Sequence, residues 1–271
     1  MDAVEAIMRG RGDVEFFARH YMGMQLHGGQ LEWLHEAQAR INLLLTGNRW
    51  GKTTTMMVAH THAQFYKLGA EPRYVDADGT VDVSRMARER YYTVHSAGLY
   101  DTAKEVWREF ASLVKASPDL AVWLETPLPR SEPHEVNWMH GGRWLFRTLG
   151  DNGEGIDGRS FYLVTIDEAG YEKNIQEIID NVARMRCADV RGRIHAVGTA
   201  KPGLSQGFFS LALQAQASLG DRRELDYRSE SKPLPVGTRL LVPRELQRYA
   251  LAQGMDLERM AHDMLQRQAA A

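Results

Sequence analysis

Cysteine is almost absent from this sequence of 271 residues, which contains only Cys187. A single cysteine cannot form an intrachain disulfide or a cysteine-rich zinc site, so a small disulfide-stabilised secreted domain is excluded and a reducing compartment is expected. Long apolar runs are also missing. Nowhere do about 18 apolar residues follow one another, and charges interrupt the N-terminal stretch MDAVEAIMRGRGDVEFF, where a signal peptide needs an apolar segment. The sequence therefore predicts neither a secreted nor a membrane-spanning protein.

An excess of charge of one sign is lacking as well. The formal net charge is −2, so no positive field over the whole surface attracts nucleic acid. A nucleic-acid partner would have to be bound by a local patch or by an assembly of several copies. Hydrophobic residues make up 44% and charged residues 25% of the chain, which is typical of a folded globular protein.

Short apolar runs alternate with segments of helical periodicity along most of the chain. The run at 41–45 is bounded by a glycine turn and followed by a helical segment, which is the pattern of a buried parallel strand in a βα unit. The same pattern recurs at 90–116 and at 161–186. These alternations predict an α/β fold with a doubly wound, mainly parallel sheet flanked by helices.

The chain is expected to form one domain with a helical segment at 1–40, a core at 41–210 and a closing region at 211–271. Within the core, we expect a loop at 69–90 and a hairpin whose turn is Gly141-Gly142. Within the closing region, we expect a strand in ELDYRSES and two helices, PRELQRYALAQG and DLERMAHDMLQRQ.

The strongest local motif is TGNRWGKT, residues 46–53, between a strand and a helix. Such a loop directs backbone N–H groups inward at a helix N-terminus and can hold the phosphates of a nucleotide. Lys52 would reach the β- and γ-phosphates, and the Thr53 hydroxyl would bind Mg²⁺. The usual first glycine is replaced by Thr46, so a chance Gly-Lys-Thr at a helix start is the alternative. The candidate nucleotide-binding residues are Gly47, Asn48, Arg49, Trp50, Gly51, Lys52, Thr53 and Thr54.

A second motif follows about 115 residues after the lysine. The apolar run FYLVTI ends in Asp167 and Glu168, and an acid at the end of such a strand lies beside the phosphate loop in this kind of sheet. Asp167 would hold Mg²⁺ and Glu168 would polarise the attacking water. The alternative is a pair of acids capping the next helix. Together, the two motifs predict Mg²⁺-dependent hydrolysis of ATP.

Arg49 lies inside the phosphate loop. A guanidinium there can bridge phosphate oxygens or stabilise the γ-phosphate in the transition state, so Arg49 joins Lys52 and Glu168 as a candidate catalytic residue. A surface arginine paired with a carboxylate is the alternative. Trp50 is expected to serve packing.

In these residues the chain resembles the large terminase subunits of tailed bacteriophages, the ATP-driven motors that package DNA. The resemblance covers roughly residues 25 to 210. The segments that carry it are the loop GNRWGKT, Gln30 with Trp33, YTVHSAGLYDTAKEVW, GIDGRSFYLVTIDEA and the turn GTAKPG at 198–203.

The resemblance implies a P-loop NTPase fold and an ATP-hydrolysing motor that moves double-stranded DNA into a prohead. It places Gln30 near the adenine and Thr199 in the segment that couples hydrolysis to movement. It also implies a portal protein and a small terminase subunit as partners, a homo-oligomeric ring when assembled, and the cytoplasm of the infected bacterial host as location.

Two features depart from the family pattern. The position of the arginine supplied to a neighbouring subunit is occupied by Asp157 here, so Arg143, Arg147 or Arg159 would have to substitute, or Arg49 acts alone. The sequence shows no second set of strands ending in acids such as the family's nuclease domain would need, so we expect a motor domain alone and no DNA cleavage.

Two other functions share these motifs. A helicase-like translocase would usually have a second motor domain, and the sequence contains no second phosphate loop. A nucleotide-binding scaffold with little turnover is the third reading.

A cluster of arginines is a candidate DNA contact, with a solvated helix face as the alternative. The cluster comprises Arg184, Arg186, Arg191 and Arg193.

Overall fold

A mainly parallel β-sheet with helices on both faces forms the centre of the molecule. The computed structural model describes residues 3–76, 79–156, 158–199, 207–208, 211 and 238–241. The strands are β1 (Ile41–Thr46), β2 (Tyr91–Ala97), β3 (Glu135–Asn137), β4 (Gly142–Thr148), β5 (Leu163–Asp167), β6 (Arg193–Thr199) and β7 (Thr238–Leu241). The helices are α1 (Ala3–Gly12), α2 (Val14–Met22), α3 (Gly28–Glu36), α4 (Lys52–Tyr66), α5 (Val83–Arg88), α6 (Tyr100–Ala116), α7 (Pro118–Ala121), α8 (Ile175–Ile178) and α9 (Arg184–Ala188).

The strand order is β3-β4-β2-β5-β6-β1-β7. All neighbouring strands are parallel except β3 and β4, which form an antiparallel hairpin. The predicted α/β fold class is therefore confirmed. Because β6 lies between β1 and β5, the carboxyl ends of all three strands meet at one edge of the sheet. Ligands bind at this edge in open α/β sheets.

The two faces of the sheet differ in chemistry, since successive side chains of a strand point to opposite faces. One face, which we call the aliphatic face, packs against the helical run at 175–188, whose middle part, Ile179–Ala183, is π-helical. The aliphatic face comprises Ile41, Leu43, Leu45, Val94, Val164, Ile166, Ile194 and Ala196. The opposite face, which we call the α4 face, includes Asn42, Leu44, Thr46, Thr93, His95, Thr165, Asp167, His195, Val197 and Thr199.

The N-terminal helices pack against α4. Asp13 caps α2 by accepting a hydrogen bond from the Phe16 N–H at 2.8 Å, and Gly23 ends the helix in the left-handed region with φ 64°. Phe17 is fully buried and packs against the rings of Phe65 and Tyr66. This packing joins α2 to the last turn of α4.

Three local predictions need correction or extension. The segment at 69–90, expected to be a loop, contains α5, which begins where Asp82 accepts a hydrogen bond from the Arg85 N–H at 2.8 Å. In the hairpin, Gly142 belongs to β4, so the connection is longer than the two expected glycines. Strand β7 pairs in parallel with β1 and was not predicted.

The strand expected in ELDYRSES and the two closing helices lie outside the described residues. In the part of the chain that is described, no helix is both long and apolar enough to cross a membrane.

Candidate functional site

The phosphate loop connects β1 to α4, as the sequence predicts. Gly51 precedes α4 with φ 94°, and Arg49 has φ 61°, a left-handed conformation that is uncommon for a residue with a side chain. The positive φ of Gly51 favours glycine, and a methyl group added there would lie 2.6 Å from Gln30 Nε2 and displace that amide from the loop. Residues in the left-handed region at alternate positions shape a concave backbone that can face an anion.

Helix α3 holds the second half of this loop through two side chains. His27 Nε2 lies 2.8 Å from the Trp50 carbonyl oxygen, and Gln30 Nε2 donates to the Gly51 carbonyl at 3.1 Å. His27 Nδ1 accepts from the Gln30 N–H at 3.3 Å, so the ring carries its proton on Nε2 and donates it to Trp50. We call the hydrogen bonds from His27 to the Trp50 carbonyl and from Gln30 to the Gly51 carbonyl the α3–loop contact.

Gln30 is 4% exposed, and both ends of its side-chain amide bond within the protein. Its Oε1 accepts from the His27 N–H at 3.0 Å, which completes a capping box at the start of α3. Its contact with adenine stays a prediction. The Trp50 ring packs edge-on against His27 at 5.0 Å, consistent with the packing role expected for it.

Lys52 is the first residue of α4, and its Nζ donates to the Gly47 carbonyl at 3.2 Å. The Lys52 ammonium group therefore lies across the loop, at the place where the phosphates of a nucleotide would bind. Thr53 and Thr54 follow in the first helical turn and are half-buried, whereas Thr55 is buried and donates to the Gly51 carbonyl at 2.9 Å. Thr55, which the sequence analysis did not single out, thus ties the helix start to the loop.

Asp167 ends β5 on the α4 face. Burial raises the pKa of the Asp167 carboxyl, and the hydrogen bond from the Glu168 N–H and the charge of Lys52 oppose this rise. Only β6 separates β5 from β1, so Asp167 lies at the same edge of the sheet as the loop that carries Lys52. Asp167 Oδ2 also lies 3.7 Å from His95 Nε2, beyond hydrogen-bond distance, and the His95 ring nitrogens have no hydrogen-bond partner among the described residues.

Glu168 follows with φ 50°, a left-handed conformation that turns its side chain away from the strand direction. Thr199 Oγ1 lies 3.4 Å from Glu168 Oε1, at the outer limit of a hydrogen bond. Thr199 is the register partner of Thr46, the residue before the phosphate loop. The three strand ends thus bring the loop, Thr199 and the acid pair together, as the sequence motifs require.

The residues present fit a nucleotide-bound Mg²⁺ ion. Glu168 Oε2 is buried without a hydrogen-bond partner among the described residues, and the Asp167 carboxylate is buried near a lysine. No three His, Cys, Asp or Glu side chains of the described chain converge as a metal cage. This arrangement suits Mg²⁺, which commonly takes one or two protein oxygens and completes its shell with phosphate oxygens and water.

The arginines considered as substitutes for a neighbouring subunit's arginine occupy different places. Arg159 is exposed, with its guanidinium 4.7 Å from the centre of the Tyr92 ring. Arg143 bonds Glu125 and backbone carbonyls of the hairpin. Arg147 lies near the end of β4, at the same edge of the sheet as the acid pair. Asp157 is outside the described residues.

Arg184 and Arg186 lie on α9, where Arg184 is 3.6 Å from Asp180, and Arg191 and Arg193 follow at the edge of the sheet opposite the phosphate loop. The Arg186 carbonyl accepts from the Phe161 N–H at 2.8 Å, just before β5. A DNA contact at these four arginines stays a prediction.

His60 and His62, two residues apart on α4, point in different directions. His60 bonds Thr93 and Thr165 under the sheet at 2.9 and 2.8 Å, and His62 bonds the Gly10 carbonyl at 2.8 Å.

No protein-family profile matches the chain, and no curated protein sequence matches it. Among solved structures, it is similar to the Thermus phage P74-26 large terminase ATPase domain, with a TM-score of 0.54 and 14% identity. That match covers 87% of this chain and 88% of that domain.

The chain is also similar to the bacteriophage HK97 large terminase, with a TM-score of 0.56 and 13% identity. That match covers 90% of this chain and 51% of the HK97 protein, so this chain spans about half of its length. Likeness at such low identity shows the fold. The chain has the fold of large-terminase ATPase domains, and the P-loop NTPase fold expected from the resemblance is confirmed.

Proposed function

We propose that the chain is the ATP-hydrolysing motor domain of a bacteriophage large terminase. The observation that carries the proposal is the meeting of three strand ends, which brings the phosphate loop, Thr199 and the acid pair to one edge of the sheet. The likeness to two terminase structures in fold and the segments that resemble the family support the same function.

In this proposal the loop amides and Lys52 bind the phosphates of ATP. Arg49 is exposed within the loop, where its guanidinium can bond phosphate oxygens. Thr53 and Asp167 hold Mg²⁺, which neutralises charge on the phosphates when it is bound. The α3–loop contact keeps the carbonyls of Trp50 and Gly51 turned toward α3, so that they do not face the bound phosphates.

Glu168 acts on the attacking water. The water oxygen forms a bond to the γ-phosphorus while the bond between that phosphorus and the oxygen of ADP breaks. The Glu168 carboxylate orients the water and accepts its proton, giving ADP and inorganic phosphate. Thr199 bonds Glu168 from the strand between the loop and the acids, so release of the γ-phosphate changes the surroundings of both residues. This pair is the proposed start of the coupling to movement.

The wider role follows the family resemblance. We propose that the motor moves double-stranded DNA into a prohead in the cytoplasm of the infected host, as a ring of copies working with a portal protein and a small subunit. The isolated chain is expected to be a monomer that binds DNA weakly, with an affinity that falls steeply as salt rises.

An ATPase assay with three variants tests the core of this proposal. We expect Lys52→Ala to lose nucleotide binding or turnover, and Glu168→Gln to bind ATP while turnover falls by about 100-fold or more. Lys115→Ala, an exposed lysine at the end of α6, serves as the control and should keep normal turnover. Near-normal turnover of Glu168→Gln would show that Glu168 is not the group that acts on water.

The dependence of turnover on protein concentration distinguishes the remaining readings. If a neighbouring subunit completes the site, the rate per molecule rises with concentration. A scaffold keeps a negligible rate at every concentration. A helicase-like translocase would separate the strands of a duplex during hydrolysis, whereas a packaging motor would leave the duplex paired.

A further inference from the structure

A cleft lies at the edge of the sheet opposite the phosphate loop. Its volume is about 370 Å³, and Tyr91, Leu163 and Arg193 line it at the starts of β2, β5 and β6. Residues from the N-terminal helices form the other wall. A volume of this size suits a small ligand. We call this feature the basic cleft, after six lining residues: Arg11, His35, His62, Arg191, Arg193 and His195.

The charges of the basic cleft are unbalanced. Glu71 is the acidic residue among the described residues that line it, and it pairs with Arg11, which also donates to the Tyr66 carbonyl at 3.3 Å. Among the described residues that line the cleft, this pair leaves no carboxylate to compensate the guanidinium charges of Arg191 and Arg193. No carboxylate of the described residues forms a salt bridge with either.

The Arg193 side chain lines the cleft and is half-buried. Burial lowers the pKa of this guanidinium, which records how poorly water solvates it there. A buried charge without a partner is costly, and natural proteins normally pair it. An anion bound in the cleft would supply the missing partner.

His195 gives an independent indication. It is 4% exposed and lines the cleft, and although the Ala37 backbone lies close enough to its ring to raise the pKa, neither ring nitrogen makes a hydrogen bond of full geometry with a described residue. Burial lowers the pKa of His195 to about 3, and the charge of Arg193 contributes. Burial likewise lowers the pKa of His62 to about 4, with Arg11 and His35 contributing. The positive charges of Arg193 and Arg11 thus help burial to keep both imidazole rings neutral.

We propose that the basic cleft binds a phosphate group. The two guanidinium groups can donate paired hydrogen bonds to phosphate oxygens, and a neutral His195 can donate one more. Arg191 is exposed with φ 52°, at the end of the turn that leads into β6, so it can close over a ligand held by Arg193. The phosphate comes either from a small phosphate compound or from a DNA backbone. This site is separate from ATP hydrolysis and does not depend on it.

Thermal unfolding with added inorganic phosphate tests the site. The measurements use the Lys52→Ala chain, because the phosphate loop would otherwise bind phosphate too, and sodium chloride keeps the ionic strength constant. We expect phosphate to raise the Tm of Lys52→Ala, because a ligand that binds the folded state stabilises it. Adding Arg193→Gln should weaken the apparent phosphate affinity by about tenfold or more.

Two further variants keep the test decisive. Arg191→Asn removes an exposed charge while asparagine tolerates the left-handed backbone, so it should weaken phosphate binding even if Arg193→Gln folds poorly. Arg130 is exposed and does not line the basic cleft, so Arg130→Gln should leave the effect of phosphate on the Tm unchanged. A phosphate effect that is absent from Lys52→Ala, or equal in all these variants, would overturn the proposal.

A short duplex DNA identifies the source of the phosphate. If Arg193→Gln and Arg191→Asn weaken duplex binding more than Arg130→Gln does, the cleft takes a phosphate of the DNA backbone. If they abolish the phosphate effect and leave duplex binding intact, the ligand is a small phosphate compound. Both outcomes support a phosphate site and are independent of any ATPase result.

Discussion

The aliphatic face and the α4 face of the same sheet have opposite characters. Branched aliphatic side chains of β1, β2, β5 and β6 fill the first, in one cluster with the helical run at 175–188. The second buries polar groups among its apolar ones, and His60 bonds the hydroxyl groups of Thr93 and Thr165 on neighbouring strands. Asp167, which lies at the same edge of the sheet as the phosphate loop, belongs to the α4 face.

This difference indicates a division of labour within one layer of backbone. Burial of aliphatic surface contributes stability roughly in proportion to area and requires no exact geometry. Buried polar groups contribute little net stability, but unmatched ones are costly, so they restrict how strands and helix can be placed. We infer that the aliphatic face stabilises the sheet and that the α4 face positions the site.

The largest expected effect on stability comes from the aliphatic face. Ile194 is 1% exposed on β6, and Ile194→Ala should lower the free energy of unfolding by about 2–5 kcal/mol through lost burial and a cavity. Turnover per folded molecule should stay near normal. Urea unfolding measures the free energy of unfolding, and an ATPase assay measures the turnover. Met8→Ala, at a residue 67% exposed, should change the free energy of unfolding by less than about 0.5 kcal/mol.

If Ile194→Ala loses activity while most of the protein remains folded, the proposed division between the two faces is wrong.

The acid-sensitive part of the stability should come from the α4 face. The pKa of His195 is about 3 in the folded state and about 6.5 when unfolded, so unfolding takes up a proton below the unfolded pKa. Stability is therefore present above pH 6.5 and is lost as pH falls toward the folded value. Between pH 7 and pH 5, this residue should account for about 2 kcal/mol of the loss.

In His195→Leu, the free energy of unfolding should fall by about 2 kcal/mol less between pH 7 and pH 5 than it does with His195 present. Urea unfolding at the two pH values measures this difference. Ile194→Ala, one residue earlier on the other face, should keep the full pH dependence. An unchanged pH dependence in His195→Leu would contradict the assignment.

Asp167→Asn should separate function from stability on the α4 face. The folded pKa of Asp167 is raised chiefly by burial, so its charged form opposes folding at neutral pH. The amide oxygen can still accept from the Glu168 N–H. We expect the free energy of unfolding to rise by about 0.5–2 kcal/mol, while Mg²⁺-dependent turnover is lost. Unfolding without Mg²⁺ measures the first part, and lower stability of this variant would refute it.

The smallest effect is expected at the α3–loop contact, above the α4 face. His27→Asn keeps a side chain that caps α3 but cannot reach the Trp50 carbonyl. We expect the KM for ATP to rise by about three- to tenfold, with little change in the free energy of unfolding. An unchanged KM would show that the loop keeps its shape without His27.

Elements with a strong local period were predictable from the sequence. Strand β1, helix α4, helix α6 and strand β5 follow continuous apolar runs or helical spacing, and they lie within about two residues of the expected bounds. Helix α5 was missed because its segment is polar and interrupted by Pro72 and Gly79. The role of His27 was missed because histidine is not a preferred cap residue.

The sequence by itself determined which short segments carry the chemistry, because a glycine-rich turn before a helix and two acids after a strand are local features of the backbone. Only the tertiary structure decided that Thr199 reaches Glu168, that His95 lies below Asp167, and that Arg193 lines a cleft at the far edge. Strand order and register depend on burying surfaces contributed by residues distant in the chain, and local propensity contains no record of which strands become neighbours.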